Sequence, residues 1–262
     1  MTEAAPFRLA TLRQGAAVTL SRFDHPPGAK LDESEEQAAE RFQINFVERG
    51  WFRLAYGSRE FTLGPGSVFL SRPGEVYRYS HLPHVEADVC LSLAFSPEVA
   101  ADFGSPALVP PVTNRIHFLK LQLAGDDLDS TACELVDAVA DARERHLYRD
   151  SQLRWYAQRI GAAREIIDAD PSGAHSIWQL SSAVAMSPFV FARIFRELVG
   201  VPPHRYLLRK RLMRARALLA AGMRVTDVCY ETGFKSPSHF TRSFQRQFGS
   251  LPSAHVVKRV RS

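Results

Sequence analysis

An internal repeat near the C-terminus is the feature of this sequence that most constrains its fold. The segment MSPFVFARIFRELVGVPP (186–203) aligns with KSPSHFTRSFQRQFGSLP (235–252) at an offset of 49 residues. Seven aligned pairs are identical: Ser187/Ser236, Pro188/Pro237, Phe191/Phe240, Arg193/Arg242, Phe195/Phe244, Gly200/Gly249 and Pro203/Pro252. Chance is a poor explanation for this agreement, so we expect two copies of one structural motif.

Each copy has the pattern of a short helix, a tight turn and a second helix. Upstream of the repeat, IWQL (177–180) corresponds to VTDV (225–228) at an offset of 48, so the second copy gains one residue at Lys235. Gly233 suits a sharp turn between helices, whereas Ala185 is a weaker match. Ser187 and Ser236 are expected as N-caps, each followed by a proline at the first helical position. The sequence therefore predicts helix-turn-helix motifs over about 176–199 and 225–248.

The second helix of each motif has an apolar side and a polar side. The predicted buried stripes are Phe191, Phe195 and Leu198 in one helix, and Phe240, Phe244 and Phe248 in the other. On the opposite side lie candidate base-reading residues, namely Phe189, Ala192, Arg193, Ser238, His239 and Arg242, beside Thr241. Candidate phosphate contacts are Arg196, Lys235 and Arg246. Arginine in a major groove can read guanine with two hydrogen bonds. The alternative is an ordinary surface arginine on a helical bundle.

Charge divides the chain into two halves. Residues 151–262 carry 18 Lys and Arg against 6 Asp and Glu, a net charge of +12, whereas residues 1–150 have a net charge of −7. A basic half suits a polyanion such as double-stranded DNA, and an acidic half would be repelled by it. We therefore predict two domains, 1–150 and 151–262, of which only the second binds DNA.

The C-terminal sequence resembles a known family along about 100 residues. The segments RIGAAREIIDADPSGAHSIWQLSSAVAMSPFVFARIFRELVG and ETGFKSPSHFTRSFQRQFGSLPS are similar to the DNA-binding domain of AraC/XylS regulators. The resemblance implies an all-α domain of seven helices, with a long helix over Pro203–Ala220 joining the two motifs. It also implies a transcription regulator, expected to be an activator, that binds promoter DNA and works with RNA polymerase. At 1.5 Å per residue the joining helix would span roughly 27 Å, which suits contacts with two successive major grooves.

Part of the N-terminal half, from Phe42 to Phe95, reads as β-structure. Between Phe42 and Phe95, runs such as QINFV, WFRLAY, SVFL and DVCLSLAF alternate with glycine and proline turns, which favours an antiparallel barrel or sandwich. FVERGWFRL and GPGSVFLSRPGEVYRYS resemble the cupin-like sensor domain that many of these regulators carry. The expected fold class is therefore α+β. The resemblance implies a pocket for an unidentified small-molecule effector, with Phe46, Trp51 and Tyr77 as candidate wall residues.

Two helices are predicted after the β-region. From Asp127 to His146, apolar or small residues spaced by fours and threes form the seam of one helix. We considered a homodimer contact for this seam, centred on Leu135, and, as the alternative, packing on the β-domain. A second helical pattern covers Leu153–Ile167 and ends near Asp170-Pro171-Ser172-Gly173.

Other functional classes find less support in the sequence. His81, His84, Cys90, Glu75 and Glu86 lie close together, but they do not reproduce the histidine and glutamate spacing of metal cupins, so we predict no metal, no cofactor and no enzyme. A sensor half that binds a protein is a third possibility. Cys90, Cys133 and Cys229 are interpreted as small buried hydrophobes. No signal peptide or membrane span is recognised, which predicts a cytoplasmic protein.

Overall fold

The fold is described from a computed structural model, which covers residues 8–24, 36–81, 88–101, 103–104, 106–143 and 147–256. The chain forms two compact domains, Met1–Tyr148 and Arg149–Ser262. The first is built from β-strands with three helices, and the second is helical. Within the described residues, no helix has both the length and the hydropathy that a membrane span requires.

The N-terminal domain contains two antiparallel sheets. Its strands are β1 (Arg8–Gln14), β2 (Val18–Asp24), β3 (Glu36–Ala38), β4 (Gln43–Arg49), β5 (Phe52–Tyr56), β6 (Arg59–Leu63), β7 (Val68–Ser71), β8 (Val76–His81) and β9 (Val89–Phe95). One sheet has the order β1-β2-β9-β4-β7 and the other β3-β8-β5-β6. The antiparallel prediction is confirmed. The first three strands were missed, because β1 is almost wholly exposed and β3 has only three residues.

The core of this domain lies between the two sheets. Val47 of β4 and Cys90 of β9 come from the first sheet, while Leu54 of β5 and Tyr77 of β8 come from the second. Leu54 is fully buried and Tyr77 is 1% exposed. Because side chains alternate along a strand, the neighbours of these residues face away from the core cluster. The two sheets therefore form a sandwich whose interior is filled by side chains where these core residues lie.

Three helices follow the sheets: α1 (Pro97–Ala100), α2 (Asn114–Gln122) and α3 (Leu128–Ala140). Helix α3 contains most of the predicted seam but ends at Ala140, and His146 lies outside the described residues. Leu135 and Ala132 are fully buried, because this face packs on α2 and β2 within the domain. The proposed homodimer contact through this seam is therefore wrong, and the packing alternative is correct.

The C-terminal domain is helical. Its helices are α4 (Asp150–Ala169), α5 (Ile177–Ala183), α6 (Pro188–Val199), α7 (Pro203–Ala220), α8 (Val225–Glu231) and α9 (Pro237–Phe248), followed by a 3-10 helix at Pro252–His255. The predicted helix at 153–167 is part of α4, which ends before Asp170 as expected. The long helix implied by the family resemblance is α7, with the same bounds.

A polar cluster fastens α7 to α4. The Tyr206 hydroxyl donates to Asp168 at 2.9 Å and accepts from Arg164 Nε at 3.2 Å. Lys210 Nζ lies 3.0 Å from the Asp168 carboxylate. Burial raises the pKa of Tyr206, so its hydroxyl keeps the proton that it donates. The two helices are thereby held together by hydrogen bonds as well as by apolar contacts.

The cysteines do not all behave as predicted. Cys90 and Cys229 are buried, which confirms the interpretation for these two, but Cys133 is exposed on α3. The spacing along the helix explains the difference, because Ala132 points into the seam and the next residue is turned about 100° away from it.

Candidate nucleic-acid interface

The repeat in the sequence is a repeat in the structure. Helices α5 and α8 are seven residues each and begin 48 residues apart, while α6 and α9 are twelve residues each and begin 49 apart. We call α5 with α6 motif 1, and α8 with α9 motif 2. Two helix-turn-helix motifs are thus present at the predicted places.

The turn inside each motif uses a left-handed residue. Ala185 has a φ of 52° in motif 1, and Gly233 has a φ of 79° in motif 2. The residue that follows each left-handed residue donates a backbone hydrogen bond to the first helix of its motif. Met186 N donates to Ser181 O at 2.9 Å, and Phe234 N donates to Cys229 O at 3.1 Å. Alanine adopts this conformation at a cost in free energy that glycine avoids. The two motifs therefore have the same kind of turn, and the alanine of motif 1 introduces local strain.

Serine caps begin both recognition helices, α6 and α9, as predicted. The Ser187 side chain accepts from Val190 N, and the Ser236 side chain accepts from His239 N, each at 3.4 Å. Pro188 and Pro237 occupy the first helical positions. The caps fix where each recognition helix starts, which sets the register of the side chains that it presents.

One side of each recognition helix is buried and the other faces outward. Phe191, Phe195, Leu198, Phe240 and Phe244 are fully buried, while Phe248 is partly buried. The candidate DNA contacts are exposed, or partly buried in the case of Ala192 and Thr241: Phe189, Arg193, Arg196, Lys235, Ser238, His239, Arg242 and Arg246. Phe189 is 80% exposed, an unusual position for a phenylalanine unless a partner covers it.

Two of the candidate residues have contacts that sequence reasoning did not anticipate. The Arg242 Nε donates to the carbonyl of Ser238 at 3.2 Å, so the side chain lies along α9 toward its N-terminal end. The His239 ring packs against Phe234 with ring centroids 5.6 Å apart. His239 therefore lies at the edge of the face that carries Ser238 and Arg242, and base reading by His239 stays a prediction.

A partly buried arginine connects the two motifs. Arg211 of α7 donates to Pro171 O and Gly173 O, both at 2.8 Å, in the loop that leads into motif 1. It also donates to Gly233 O at 3.1 Å, in the turn of motif 2. Burial lowers the pKa of Arg211, but three carbonyl oxygens accept from the guanidinium. Sequence reasoning missed this residue, because its partners lie 22 to 40 positions away.

A groove lies between the two motifs, and we call it the intermotif groove. It encloses about 650 Å³. Its lining includes basic or histidine side chains, namely His175, His204, Arg211, Lys235 and His239, over an apolar floor that includes Ile177, Leu207 and Phe234. None of its lining residues is acidic. His175, His204 and Arg211 were not singled out from the sequence, because nothing in their local pattern marks them.

Exposed aromatic side chains on the first helices were also missed. Trp178 of α5 is 69% exposed, and Tyr230 of α8 is 61% exposed. The exposure of Trp178 could have been predicted from the sequence. Ser176 marks the start of α5, and helix periodicity then places Trp178 off the buried stripe that contains Leu180 and Val184. These rings extend the surface that motif 1 and motif 2 can present to a ligand.

The three candidate effector residues have different surroundings. Tyr77 is in the core between the sheets, and its hydroxyl accepts from Arg72 N at 3.0 Å. Phe46 points to the other face of β4, where Lys120 Nζ lies 5.6 Å from its ring centroid. Trp51 is 49% exposed and covers Gly64. The structure thus gives the three residues different surroundings, and their role as pocket wall residues stays a prediction.

A carboxylate inside the N-terminal domain is held by two tyrosines and an arginine. Glu75 accepts from Tyr56 at 2.9 Å and from Tyr77, and Arg72 lies 3.4 Å from the same carboxylate. Burial alone would raise the pKa of Glu75, but the hydrogen bonds from both tyrosines and the Arg72 charge lower it overall. Its oxygens are thus engaged inside the protein and serve the β-domain as a fixed polar cluster.

The residues of the metal alternative do not assemble among the described part of the chain. The Glu75 carboxylate already accepts hydrogen bonds from Tyr56 and Tyr77. Cys90 is a core residue, and burial raises its pKa to about 12. The His81 side chain, His84 and Glu86 lie outside the described residues. No group of three or more potential ligands converges within the described ranges.

Comparison with known families accounts for both domains. A family model described as an AraC-like ligand binding domain matches residues 28–157, and one described as a helix-turn-helix domain matches residues 180–256. The chain belongs to the AraC family of transcriptional regulators. Within this family the N-terminal sandwich is the ligand-binding domain and the two motifs form the DNA-binding domain. Neither family model describes a catalytic family.

Individual relatives agree with this assignment. The chain is 35% identical over 81 residues to the probable transcriptional regulator LumQ of Photobacterium leiognathi, which covers 30% of this chain and 33% of LumQ. It is 24% identical over 235 residues to the RCS-specific HTH-type transcriptional activator RclR of Escherichia coli (strain K12), covering 78% and 83%. The alignments with LumQ and with the next two relatives thus span about a third of those proteins.

A solved structure is similar to the C-terminal domain. It is that of a probable AraC family transcriptional regulator from Rhodopseudomonas palustris CGA009. The sequences are 26% identical, and the match covers 38% of this chain and 94% of that chain with a TM-score of 0.36.

Proposed function

We propose that this protein is a sequence-specific DNA-binding regulator that activates transcription. The observation that carries the proposal is the pair of recognition helices, in which Arg193 and Arg242 occupy the same register, six residues after their capping serines. Both side chains are exposed, while the opposite faces of α6 and α9 are buried. A repeated surface of this kind suits two half-sites on one face of a DNA duplex.

The exposed residues divide by position. Arg193 and Arg242 are proposed to read bases, together with Phe189, Ala192, Ser238 and His239. Arg196, Lys235 and Arg246 are proposed to contact phosphates, because they lie toward the far end or the very start of a recognition helix. Ala192 offers no hydrogen bond, so discrimination by motif 1 rests mainly on Arg193 and on contacts of the Phe189 ring with thymine methyl groups.

The test compares Arg242→Ala with Lys235→Ala on a randomised operator library. Losing a guanine contact should cost about 1–3 kcal/mol at one base pair and relax the preference there, whereas losing a phosphate contact should weaken all sequences alike. Arg154→Ala, at an exposed position of α4, controls for the removal of a cation. An Arg242→Ala protein that binds more weakly with an unchanged preference would refute the assignment of Arg242.

The N-terminal domain is proposed to control the C-terminal one through an unidentified small-molecule effector. The match to an AraC-like ligand binding domain supports this proposal. Activation is supported by the name of the relative RclR, a transcriptional activator. RNA polymerase is proposed as the partner because an activator of transcription acts on that enzyme. Promoter DNA as the target supports the cytoplasm as the proposed site of action. A homodimer stays a prediction that needs a surface other than the buried face of α3.

A further inference from the structure

The intermotif groove is lined by residues of both motifs and of α7, the helix that joins them. One wall is the start of motif 1, at His175 and Ile177, and the other is the turn and first residues of α9, at Lys235 and His239. The N-terminal half of α7, including His204, forms the base. A duplex that presents two successive major grooves to α6 and α9 must place a stretch of its backbone between them.

The chemistry of the groove matches a polyanion with an apolar component. Arg211 and Lys235 are cations, and the histidines add ring N–H donors. The carboxylate of Asp170 acts electrostatically on Arg211, but it accepts from Ser172 N at 3.2 Å and lies outside the groove lining. Apolar side chains such as Leu207 and Phe234 cover the floor. Phosphate oxygens suit the donors, and deoxyribose suits the apolar floor.

The cation at the base is fixed in place. Three hydrogen bonds hold the Arg211 guanidinium against backbone carbonyls on both sides of the groove. These bonds use three of the five N–H donors of the guanidinium, and its unit charge attracts a phosphate even without a direct contact. Lys235 is exposed and able to reach the phosphate itself. Motif 2 is one residue longer than motif 1, and that additional residue, Lys235, contributes a cation to the groove.

We propose that the intermotif groove binds the sugar-phosphate backbone between the two half-sites of the operator. This proposal rests on the proposed function and deepens it, since it places the phosphate contact of Lys235 in the spacer between the half-sites and adds His204 and Arg211 of α7, which lie outside both recognition helices. Lys235 and His204 provide the direct contacts, and Arg211 provides a fixed charge beneath them. Because the contact carries no base information, it strengthens binding to any spacer sequence of the right length.

Ethylation interference with the full chain tests the proposal. DNA selected by the protein from a randomised library is ethylated at phosphates, and the bound and free fractions are compared. Wild-type protein is expected to show interference at spacer phosphates as well as at the half-sites. His204→Ala and Lys235→Met should lose the spacer signal only. Lys235→Met should also lower the salt slope by about one, which weakens binding about eightfold at 0.1 M salt.

Arg154→Gln is the matched control, because Arg154 is an exposed cation of α4 that does not line the groove. It should keep the spacer signal. Interference at the half-sites without any in the spacer overturns the groove proposal and leaves the proposed function intact. The same holds if both groove variants retain the spacer signal. If no DNA sequence is selected at all, both the groove proposal and the proposed function fail.

Discussion

Gly233 stands at the point where the turn of motif 2 touches the loop that leads into motif 1. Its φ of 79° is in the left-handed region, which disfavours any residue with a Cβ. A Cβ added there would lie 2.5 Å from the Ser172 carbonyl oxygen and 3.1 Å from Arg211 Cζ. Gly233→Ala should therefore strain the turn and also separate two pieces of backbone.

The size of the effect can be worked out from these two terms. The left-handed conformation costs alanine about 1–2 kcal/mol, and the stiffer unfolded chain returns about 0.4–1 kcal/mol. The collision with Ser172 adds about 1–3 kcal/mol, because a backbone oxygen cannot rotate away as a side chain can. We expect Gly233→Ala to lower the free energy of opening of motif 2 by about 2–4 kcal/mol.

Gly249→Ala separates the two terms. Gly249 ends α9 with a φ of 73°, but no atom lies within 4 Å of its added Cβ, so only the strain of about 1 kcal/mol applies. Hydrogen exchange of the backbone amides of α8 and α9, measured on the full chain, reports both opening free energies. Equal losses of protection in the two variants would show that the contact with Ser172 contributes nothing and that the steric reasoning is wrong.

Two further predictions follow from local strain and from charge. Ala185→Gly should stabilise motif 1 by about 0.5–1 kcal/mol, because relief of a φ of 52° exceeds the added unfolded-state entropy; slower exchange in α5 and α6 would confirm this, and faster exchange would contradict it. Glu75→Gln should destabilise the N-terminal domain by about 1–2 kcal/mol at pH 7, since it removes charged hydrogen bonds to Tyr56 and Tyr77. The pKa of Glu75 is lowered on folding, so its contribution is present above 4.5 and is lost as the pH falls below that value; a gap between wild type and variant that is unchanged by acid would refute this reasoning.

The sequence determined the parts of this protein that depend on local patterns. The offsets of 48 and 49 residues place both motifs, and Ser187 and Ser236 mark the starts of α6 and α9. These features are readable because capping and amphipathic stripes involve residues within one or two helical turns. Strands β4 to β9 were likewise visible, because each is a short apolar or alternating run bounded by turn residues or by the change of pattern after Phe95.

The tertiary structure decided which neighbours those local elements have. An apolar seam on α3 looks the same whether it pairs with a second copy or with α2, and only the fold shows that Leu135 is buried within the domain. Alternation in β4 cannot tell which face is inside, so Phe46 and Tyr77 were grouped although they face different surroundings. The three carbonyls that accept from Arg211 belong to two loops, and this contact exists only once α7 has brought those loops together. Contacts between residues far apart in sequence leave no local pattern, which is the physical reason why the intermotif groove appears only in the folded chain.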